Sequence, residues 1–165
     1  IFITDSDAKT YYSKNPEIRT SHIFVPLTPD ASADDAKIAF ARLKKIYDEN
    51  VASGKMSFAE AAQRFSEGPA APMGGDIDYQ TRDRLDPAFY EAALRLKPGK
   101  VSPIVRTQFG YHIIRLTAIR AWEDADKAQV KRLVYEVKRN ELFSSYVGKL
   151  RAAAKVSVRS ELLKE

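Results

Sequence analysis

The stretch of residues 108–116 constrains the fold of this chain more than any other. It is mostly β-branched or aromatic after Gly110, which stands where a turn would lead into a strand, so it predicts a β-strand. Because successive side chains of a strand point to opposite faces, His112, Ile114 and Leu116 are expected on one face. The strand therefore places a histidine on an otherwise apolar surface.

The chain has only one other histidine, His22, and it also lies in a strand-like segment, residues 18–25. The same alternation places Phe24 on the face of His22. Strands near both ends of this region, with helices between them, favour an antiparallel sheet in which the two histidine-bearing strands are central. His22 and His112 would then be side-by-side neighbours on one face.

The other elements are predicted from caps, chain breakers and hydrophobic periodicity. Helices are expected over residues 4–14, 34–53, 57–65 and 86–96, and further strands over residues 76–79, 101–105 and 156–158. Residues 126–154 carry two displaced apolar stripes, which predict one long helix or two consecutive ones. Residues 66–75 contain two prolines and three glycines, so they predict a shaped loop. The pattern indicates an α+β fold.

Composition excludes several kinds of site. The 165 residues carry a formal charge of +5, but the basic residues are scattered, so a solvated surface is favoured over nucleic-acid binding. The absence of cysteine excludes disulfides, thiolate zinc sites and a cysteine nucleophile, and it suits a protein that folds where thiols oxidise. No apolar run reaches the roughly 18 residues of a membrane span.

Other chemistries find little support. Two histidines are too few for a closed zinc site, and although Asp76 or Asp78 could add a carboxylate, no pair has helical metal-ligand spacing. Ser21 adjoins His22 but points to the opposite strand face, so it cannot use that imidazole as a base. Gly74 precedes Gly75, but no helix start and no lysine follow, as phosphate binding would need. The simplest alternative is that each histidine is a hydrogen-bonded core residue.

Several segments in order carry a resemblance to a known family. They are residues 19–23, 65–70, 74–77, 98–105 and 107–114, with Leu85 and Phe89 between them. Over residues 17–119 the chain resembles a parvulin-type (PpiC-like) peptidyl-prolyl cis/trans isomerase domain. The resemblance implies a four-stranded antiparallel sheet surrounded by about four helices. It also implies an enzyme that isomerises Xaa–Pro bonds without a cofactor or a metal.

The resemblance assigns roles by position. It implies that His22, His112 and Thr107 form the catalytic group. It implies that the substrate-binding residues are Leu85, Phe89, Phe109, Ile77 and Gly68.

The sequence departs from the family pattern at three positions: two of the substrate-binding residues and the residue that follows one of them. Gly68 stands where some parvulins have a cysteine and others an aspartate, and Ile77 replaces a leucine. Asp78 replaces the glycine that usually follows. Residues 25–36 are acidic and lack the basic cluster of phosphate-specific parvulins, so no phosphoserine requirement is expected.

The flanks, residues 1–16 and 120–165, are helical and resemble segments that bracket parvulin domains in exported foldases of the SurA and PrsA kind. We therefore expect a chaperone-like lobe built from both flanks beside the isomerase domain of residues 17–119. The expected function is folding assistance to unfolded or exported bacterial proteins, in the periplasm or otherwise outside the cytoplasm. The alternative is a non-catalytic holdase in which the parvulin domain only binds peptides.

The chain opens with Ile1 rather than methionine, so we expect it to be an excerpt or mature fragment of a longer protein. A part preceding Ile1 could attach it peripherally to a membrane. The flanking helices could also be exchanged between two chains, which would produce a homodimer. The expected partners are client polypeptides with Xaa–Pro bonds, and no nucleic acid.

Overall fold

The computed structural model describes residues 1–154. The terminal strand expected over residues 156–158 lies outside this part of the chain. The described residues divide into two units: Ser13–Ala125 form one, and residues 1–12 together with residues 126–154 form the other.

The unit Ser13–Ala125 is built on a four-stranded antiparallel sheet. Its strands are β1 (Ile18–Pro26), β2 (Asp76–Gln80), β3 (Val105–Thr107) and β4 (Gly110–Ile119). Their order across the sheet is β2-β1-β4-β3. The two strands that carry the histidines are therefore central neighbours, and the expected α+β architecture is confirmed.

The register of the central pair brings the histidines together. Phe24 lies directly opposite His112, and His22 lies opposite Ile114. Residues that are opposite, or two apart on neighbouring strands, share a face, so His22 and His112 are diagonal neighbours. A bulge between Arg19 and the next residue absorbs one extra residue of β4 without disturbing this register.

One face of the sheet is covered by α2 (Ala33–Ile46) and α3 (Phe58–Phe65). Ser57 caps the start of α3 with a capping box. Its hydroxyl accepts from the backbone N–H of Glu60, and the Glu60 carboxylate accepts from the backbone N–H of Ser57. The core on this face consists of Ile23, Val25, Ala39, Leu43, Ile46, Phe58, Ala61, Ala62 and Ile113.

The helix expected over residues 34–53 changes its winding at Ile46. Tyr47–Ala52 form a wider, π-helical turn. The amide of Asn50 donates to the carbonyl of Ile46 at 2.9 Å, so a side chain contributes to the hydrogen bonding of this turn. Such local competition between side chain and backbone does not appear in a hydrophobic repeat.

The opposite face is covered by α4 (Pro87–Leu94). Asp86 caps it by accepting from the backbone N–H of Ala88, and Pro87 occupies the first helical position. The second core consists of Ile18, Phe89, Tyr90, Ala93, Ile114 and Leu116. His112 lies on this face, so α4 is the helix that covers the histidines.

The edge strand lies later in the chain than the sequence suggests. We expected it over residues 101–105, but β3 is Val105–Thr107, and Val101 forms only an isolated bridge with Arg115. Pro103 has no N–H to donate to a ladder. The hydroxyl of Ser102 accepts from the N–H of Ile114 at 3.0 Å, a role that a backbone carbonyl would otherwise fill.

The other unit contains one continuous helix, α5 (Lys127–Ala153), which decides between the one-helix and two-helix alternatives. Two ion pairs join it to the start of α1 (Asp5–Lys14): Lys131 contacts Asp5 at 2.7 Å, and Lys138 contacts Asp7 at 2.9 Å. Val130 and Val134 of its first apolar stripe are buried. In the second stripe Val147 is half-buried, and the other four residues are 50–67% exposed: Leu142, Phe143, Tyr146 and Leu150. Within residues 1–154, no helix combines the length and hydrophobicity that a membrane span needs.

Candidate active site

A small open cavity lies against the paired histidines, between the sheet and the start of α4. Its volume is about 170 Å³. It is lined by His22, Ile77, Arg84, Leu85, Asp86, Phe89, Thr107, Phe109 and His112. Seven of the eight residues that the resemblance singled out therefore meet at one cavity, and the eighth, Gly68, does not line it.

The two imidazoles are in direct contact. Nδ1 of His22 lies 3.0 Å from Nδ1 of His112, and the ring planes are inclined by only 10°. A hydrogen bond between two imidazole nitrogens requires one of them to carry the proton and the other to accept it. Two neutral rings of opposite tautomers meet this requirement, whereas two imidazolium rings would place two donors against each other.

Thr107 extends this contact into a hydrogen-bonded chain. Its Oγ1 lies 2.8 Å from Nε2 of His112 and accepts from the backbone N–H of Phe109 at 3.2 Å. The hydroxyl is buried, and His112 is only 5% exposed. Both ring nitrogens of His112 are therefore engaged, which holds its imidazole in one orientation at the floor of the cavity.

Burial keeps both histidines neutral. It lowers the pKa of His22 from 6.5 to about 4. The pKa of His112 is lowered to about 3, chiefly by burial and further by the nearby positive charges of a protonated His22 and of Arg106. Both pKa values lie well below neutral pH, so the single-proton bridge between the rings is the form present under ordinary conditions.

Phe89 holds the two rings from the α4 side. Its ring meets His22 at 5.5 Å between centroids and His112 at 5.4 Å, edge-on in both cases, at 82° and 88°. Phe24 stacks on His112 from β1 at 4.7 Å. Edge-to-face and offset contacts of this kind are favourable between aromatic rings. The imidazoles are thus in direct contact with the rings of Phe24 and Phe89.

The glycine loop before β2 positions His22 through its backbone. Gly75 has φ 79°, and its carbonyl accepts from the N–H of His22 at 3.0 Å. A Cβ at Gly75 would lie 2.3 Å from the carbonyl oxygen of His22. Only glycine allows both this backbone conformation and this close approach. The loop of residues 66–75 therefore fixes the position of a histidine backbone.

Gly68 lies behind His22 and not in the cavity wall. A Cβ there would be 3.4 Å from Cδ1 of Phe24 and 3.8 Å from Nε2 of His22. The preceding residues are fastened to β1, because Ser66 Oγ accepts from the N–H of Phe24 and Glu67 N–H donates to the Phe24 carbonyl. The position is thus adjacent to the outer nitrogen of His22.

Three neighbours of the site were not predicted from the sequence. Phe24 was expected on the same strand face as His22 but was given no role in the site. Its position two residues after His22 was the signal that could have identified it. Asp86 was only the first residue of the helix expected over residues 86–96. Arg84 is exposed at the cavity, and no pattern in the sequence singled it out.

The arrangement suits a reaction that needs shape and a dry surface more than charge. The cavity presents four apolar side chains, Ile77, Leu85, Phe89 and Phe109, around two neutral rings. Among the described residues, no three histidine or carboxylate side chains converge as metal ligands.

Comparison with known proteins agrees with this geometry. The Rotamase family, described as the PPIC-type PPIASE domain, matches residues 22–118. The chain is 34% identical over 146 residues to Chaperone SurA of Photorhabdus laumondii, covering 86% of this chain and 33% of that protein. It is 34% identical over 149 residues to Chaperone SurA of Escherichia coli O6:H1, covering 87% of this chain and 34% of the relative. The chain therefore spans about a third of the length of these curated relatives.

Solved structures give the same result. The crystal structure of peptidylprolyl isomerase (PrsA) from Bacillus anthracis matches with a TM-score of 0.57 and 30% identity, over 94% of this chain and 67% of that one. The solution structure of TbPIN1 matches with a TM-score of 0.54 and 32% identity, over 62% of this chain and 98% of that one. The match to PrsA thus extends over more of the chain than the match to TbPIN1.

Proposed function

This chain belongs to the PpiC-type peptidyl-prolyl isomerase family, and from that premise we propose that it isomerises Xaa–Pro bonds of unfolded or exported polypeptides. The observation that carries the proposal is the contact of Phe89 with both neutral imidazoles at the floor of a small apolar cavity. A dry cavity of about 150 Å³ is enough to hold a benzene ring, so one of about 170 Å³ can hold a proline ring.

The reaction requires rotation and no bond cleavage. An Xaa–Pro bond rotates over a barrier of roughly 18–20 kcal/mol and takes tens to hundreds of seconds without a catalyst. The enzyme must bind the twisted amide better than the planar one. A twisted amide has lost its resonance and is less polar, so an apolar cavity favours it over the planar form.

Each site residue has a role in this proposal. Leu85, Phe89 and Phe109 grip the proline ring, and Phe109, which is 59% exposed, closes the outer side of the cavity over it. His22, His112 and Thr107 form a rigid floor through their hydrogen bonds.

Two further residues act at the margins of the site. Ile77 completes the apolar wall from β2. Gly68 brings no side chain to Nε2 of His22, and the proposed mechanism needs neither a nucleophile nor a charge there.

The experiment is cis/trans exchange of a proline-containing peptide, measured by NMR with catalytic amounts of the full chain. We expect exchange well above the uncatalysed rate, and exchange equal to the blank would refute the proposal. Phe89→Leu should lower the catalysed rate at least tenfold, because it removes the ring that contacts both histidines. Phe65→Leu on α3, which belongs to the opposite core, is the matched control and should retain activity.

A second function is favoured by the exposed stripe on α5. Leu142, Phe143, Tyr146 and Leu150 follow one another at helical spacing and are 50–67% exposed. Clustered exposed apolar residues mark interaction surfaces. We propose that the flanks, residues 1–16 and 120–165, hold unfolded clients through this stripe, in addition to the isomerase activity of residues 17–119. The double variant L142S/F143S should reduce suppression of client aggregation while leaving peptide exchange unchanged; unchanged suppression would count against the holdase role.

We further propose that the protein works in the periplasm or otherwise outside the cytoplasm. The absence of cysteine is compatible with an oxidising compartment, and the curated relatives are named as chaperones. Fractionation of cells that express the natural gene tests the location.

Two further proposals concern association. Sedimentation at increasing protein concentration tests a homodimer formed through the flanks, and flotation with vesicles tests peripheral membrane association.

A further inference from the structure

A second apolar groove lies on the outer side of α4, separate from the histidine cavity. Its volume is about 500 Å³. α4 contributes Ala88 and Ala92 to one wall, which Leu96 extends just beyond the helix, and the segment Pro103, Ile104 and Val105 forms the other. Pockets that hold ligands commonly have volumes of about 300–1,000 Å³. The groove is therefore large enough for a bulky apolar side chain.

The groove and the histidine cavity are built on the same two elements. On α4, Ala88 faces the groove, and its neighbour Phe89 faces the cavity. On β3, Val105 faces the groove and Thr107 faces the cavity. Val105 lies opposite His112 in the sheet, so it stands on the histidine face. Two residues of a strand span about 6.6 Å, so the two sites are within reach of one extended peptide.

The strand that joins the two sites is the edge of the sheet. β3 follows β4 at the end of the strand order, so one side of it is not paired within the described sheet. An edge strand with free backbone groups can accept an extended segment, which adds main-chain hydrogen bonds to side-chain contacts. A client held in this way would run along the groove.

The charges beside the groove favour an apolar occupant. The carboxylate of Glu91 is paired with Arg82 at 2.6 Å, so its charge is partly balanced within the protein. Arg95 is exposed at the far end, beside Leu96. Between them the lining is alanine, leucine, isoleucine, valine and proline.

We propose that this groove is a second client subsite. An extended polypeptide whose proline occupies the histidine cavity places an apolar side chain, about two to four residues from that proline, between α4 and Ile104. The proposal rests on the isomerase function above and names the client segment that the site selects. In this proposal, the protein prefers those prolines that have an apolar residue two to four positions away.

The test uses alanine-based peptides with one proline and a leucine three residues before or after it. An all-alanine peptide with the same proline is the reference. With the full chain, we expect one of the two leucine positions to lower KM at least fivefold. Ala88→Tyr, which fills the groove from an exposed helical position, should abolish that gain and change exchange of the reference peptide less than twofold. Lys37→Tyr on α2 is the matched control and should keep the gain.

Peptide binding in the groove is measured separately, from the NMR shifts of backbone amides as peptide is added. Shifts at Ala92 and Ile104 with the leucine peptide, but not with the reference, support the subsite even if neither peptide is isomerised, so the two proposals fail separately. Equal KM values for all peptides, or a leucine gain that persists in Ala88→Tyr, would overturn the subsite. Shifts at Ala92 and Ile104 on raising protein concentration without peptide would assign the groove to a second copy and overturn it as well.

Discussion

Nδ1 of His22 and Nδ1 of His112 lie 3.0 Å apart, although the two residues are separated by 90 positions in the chain. The register of β1 against β4 creates this contact, because Phe24 and not His22 is directly opposite His112. The rings therefore meet diagonally, with nearly parallel planes, and share one proton. Because burial lowers the pKa of both rings, the pair is sensitive to acid.

Stability is expected to fall as the pH drops below about 6.5. The folded pKa values of about 4 for His22 and about 3 for His112 are lower than the unfolded value of 6.5, so the unfolded chain binds more protons in this window. The free energy of unfolding should decrease by roughly 1.4 kcal/mol per pH unit for each histidine as pH falls from 6.5 towards 4. Urea unfolding at several pH values between 7.5 and 4.5 measures this decrease in the free energy of unfolding.

The matching control is the titration of the imidazole ring protons by NMR. In the native protein both histidines should remain neutral to below pH 5, and in urea both should titrate near 6.5. A native ring that titrates near 6.5 would contradict the burial of the pair. Isomerase activity should likewise persist at pH 5.5, since both rings are still neutral there.

Thr107→Val should lower isomerase activity by more than the loss of folded protein explains. Valine has nearly the shape of threonine but cannot hydrogen-bond Nε2 of His112 or the N–H of Phe109, so a buried ring nitrogen loses its partner. Such a loss costs about 1–3 kcal/mol. Thr107→Ser keeps the hydroxyl and should retain most of the activity. Equal losses in both variants, by peptide exchange and thermal unfolding, would show that the methyl group matters and not the hydrogen bond.

Gly75→Ala should disrupt the site through the backbone of β1. Both Gly75 and Gly54 have positive φ, 79° and 76° respectively, but Gly54 has nothing within 4 Å of its added Cβ. Gly54→Ala therefore measures the conformational cost alone, about 1 kcal/mol. Gly75→Ala adds a clash at 2.3 Å with the His22 carbonyl. Its unfolding free energy should fall by at least about 2 kcal/mol more than that of the control, together with loss of exchange activity.

Asp78→Gly should stabilise the protein. Among the described residues, Asp78 is the only non-glycine with positive φ, at 58°, and it occupies the position where the parvulin pattern has glycine. Glycine removes a Cβ strain of about 1–2 kcal/mol but adds about 0.5–1 kcal/mol of backbone entropy to the unfolded chain, so the net gain should be about 0.5–1 kcal/mol. The ion pair that is lost, with Arg19 at 3.9 Å, is exposed and contributes little.

Asp78→Ala is the comparison for that variant. It loses the same ion pair but retains the strain, so it should be less stable than Asp78→Gly in thermal unfolding. A glycine variant less stable than the alanine variant would mean that the backbone strain at this position is negligible.

Local chemistry was enough to predict most of the elements. The helices expected from residues 57 and 86 and the alternation around His112 each depend on neighbouring residues, and each appears in the structure. Ser57 and Asp86 supply the caps of these two helices. The errors lie where a side chain replaces a backbone partner. The hydroxyl of Ser102 accepts from the Ile114 N–H just before the edge strand begins, and the amide of Asn50 donates within the π-helical turn.

The sequence by itself determined the two histidine-bearing strands, the face on which each histidine lies and the apolar residues available to surround them. These properties follow from the two-residue period of a strand and from residue type. The tertiary structure alone decided that His22 and His112 meet at Nδ1, that Phe89 contacts both rings, and that the Gly75 carbonyl holds His22 in place. Those relationships depend on strand register and on the approach of distant backbones to within about 3 Å, which no local pattern specifies.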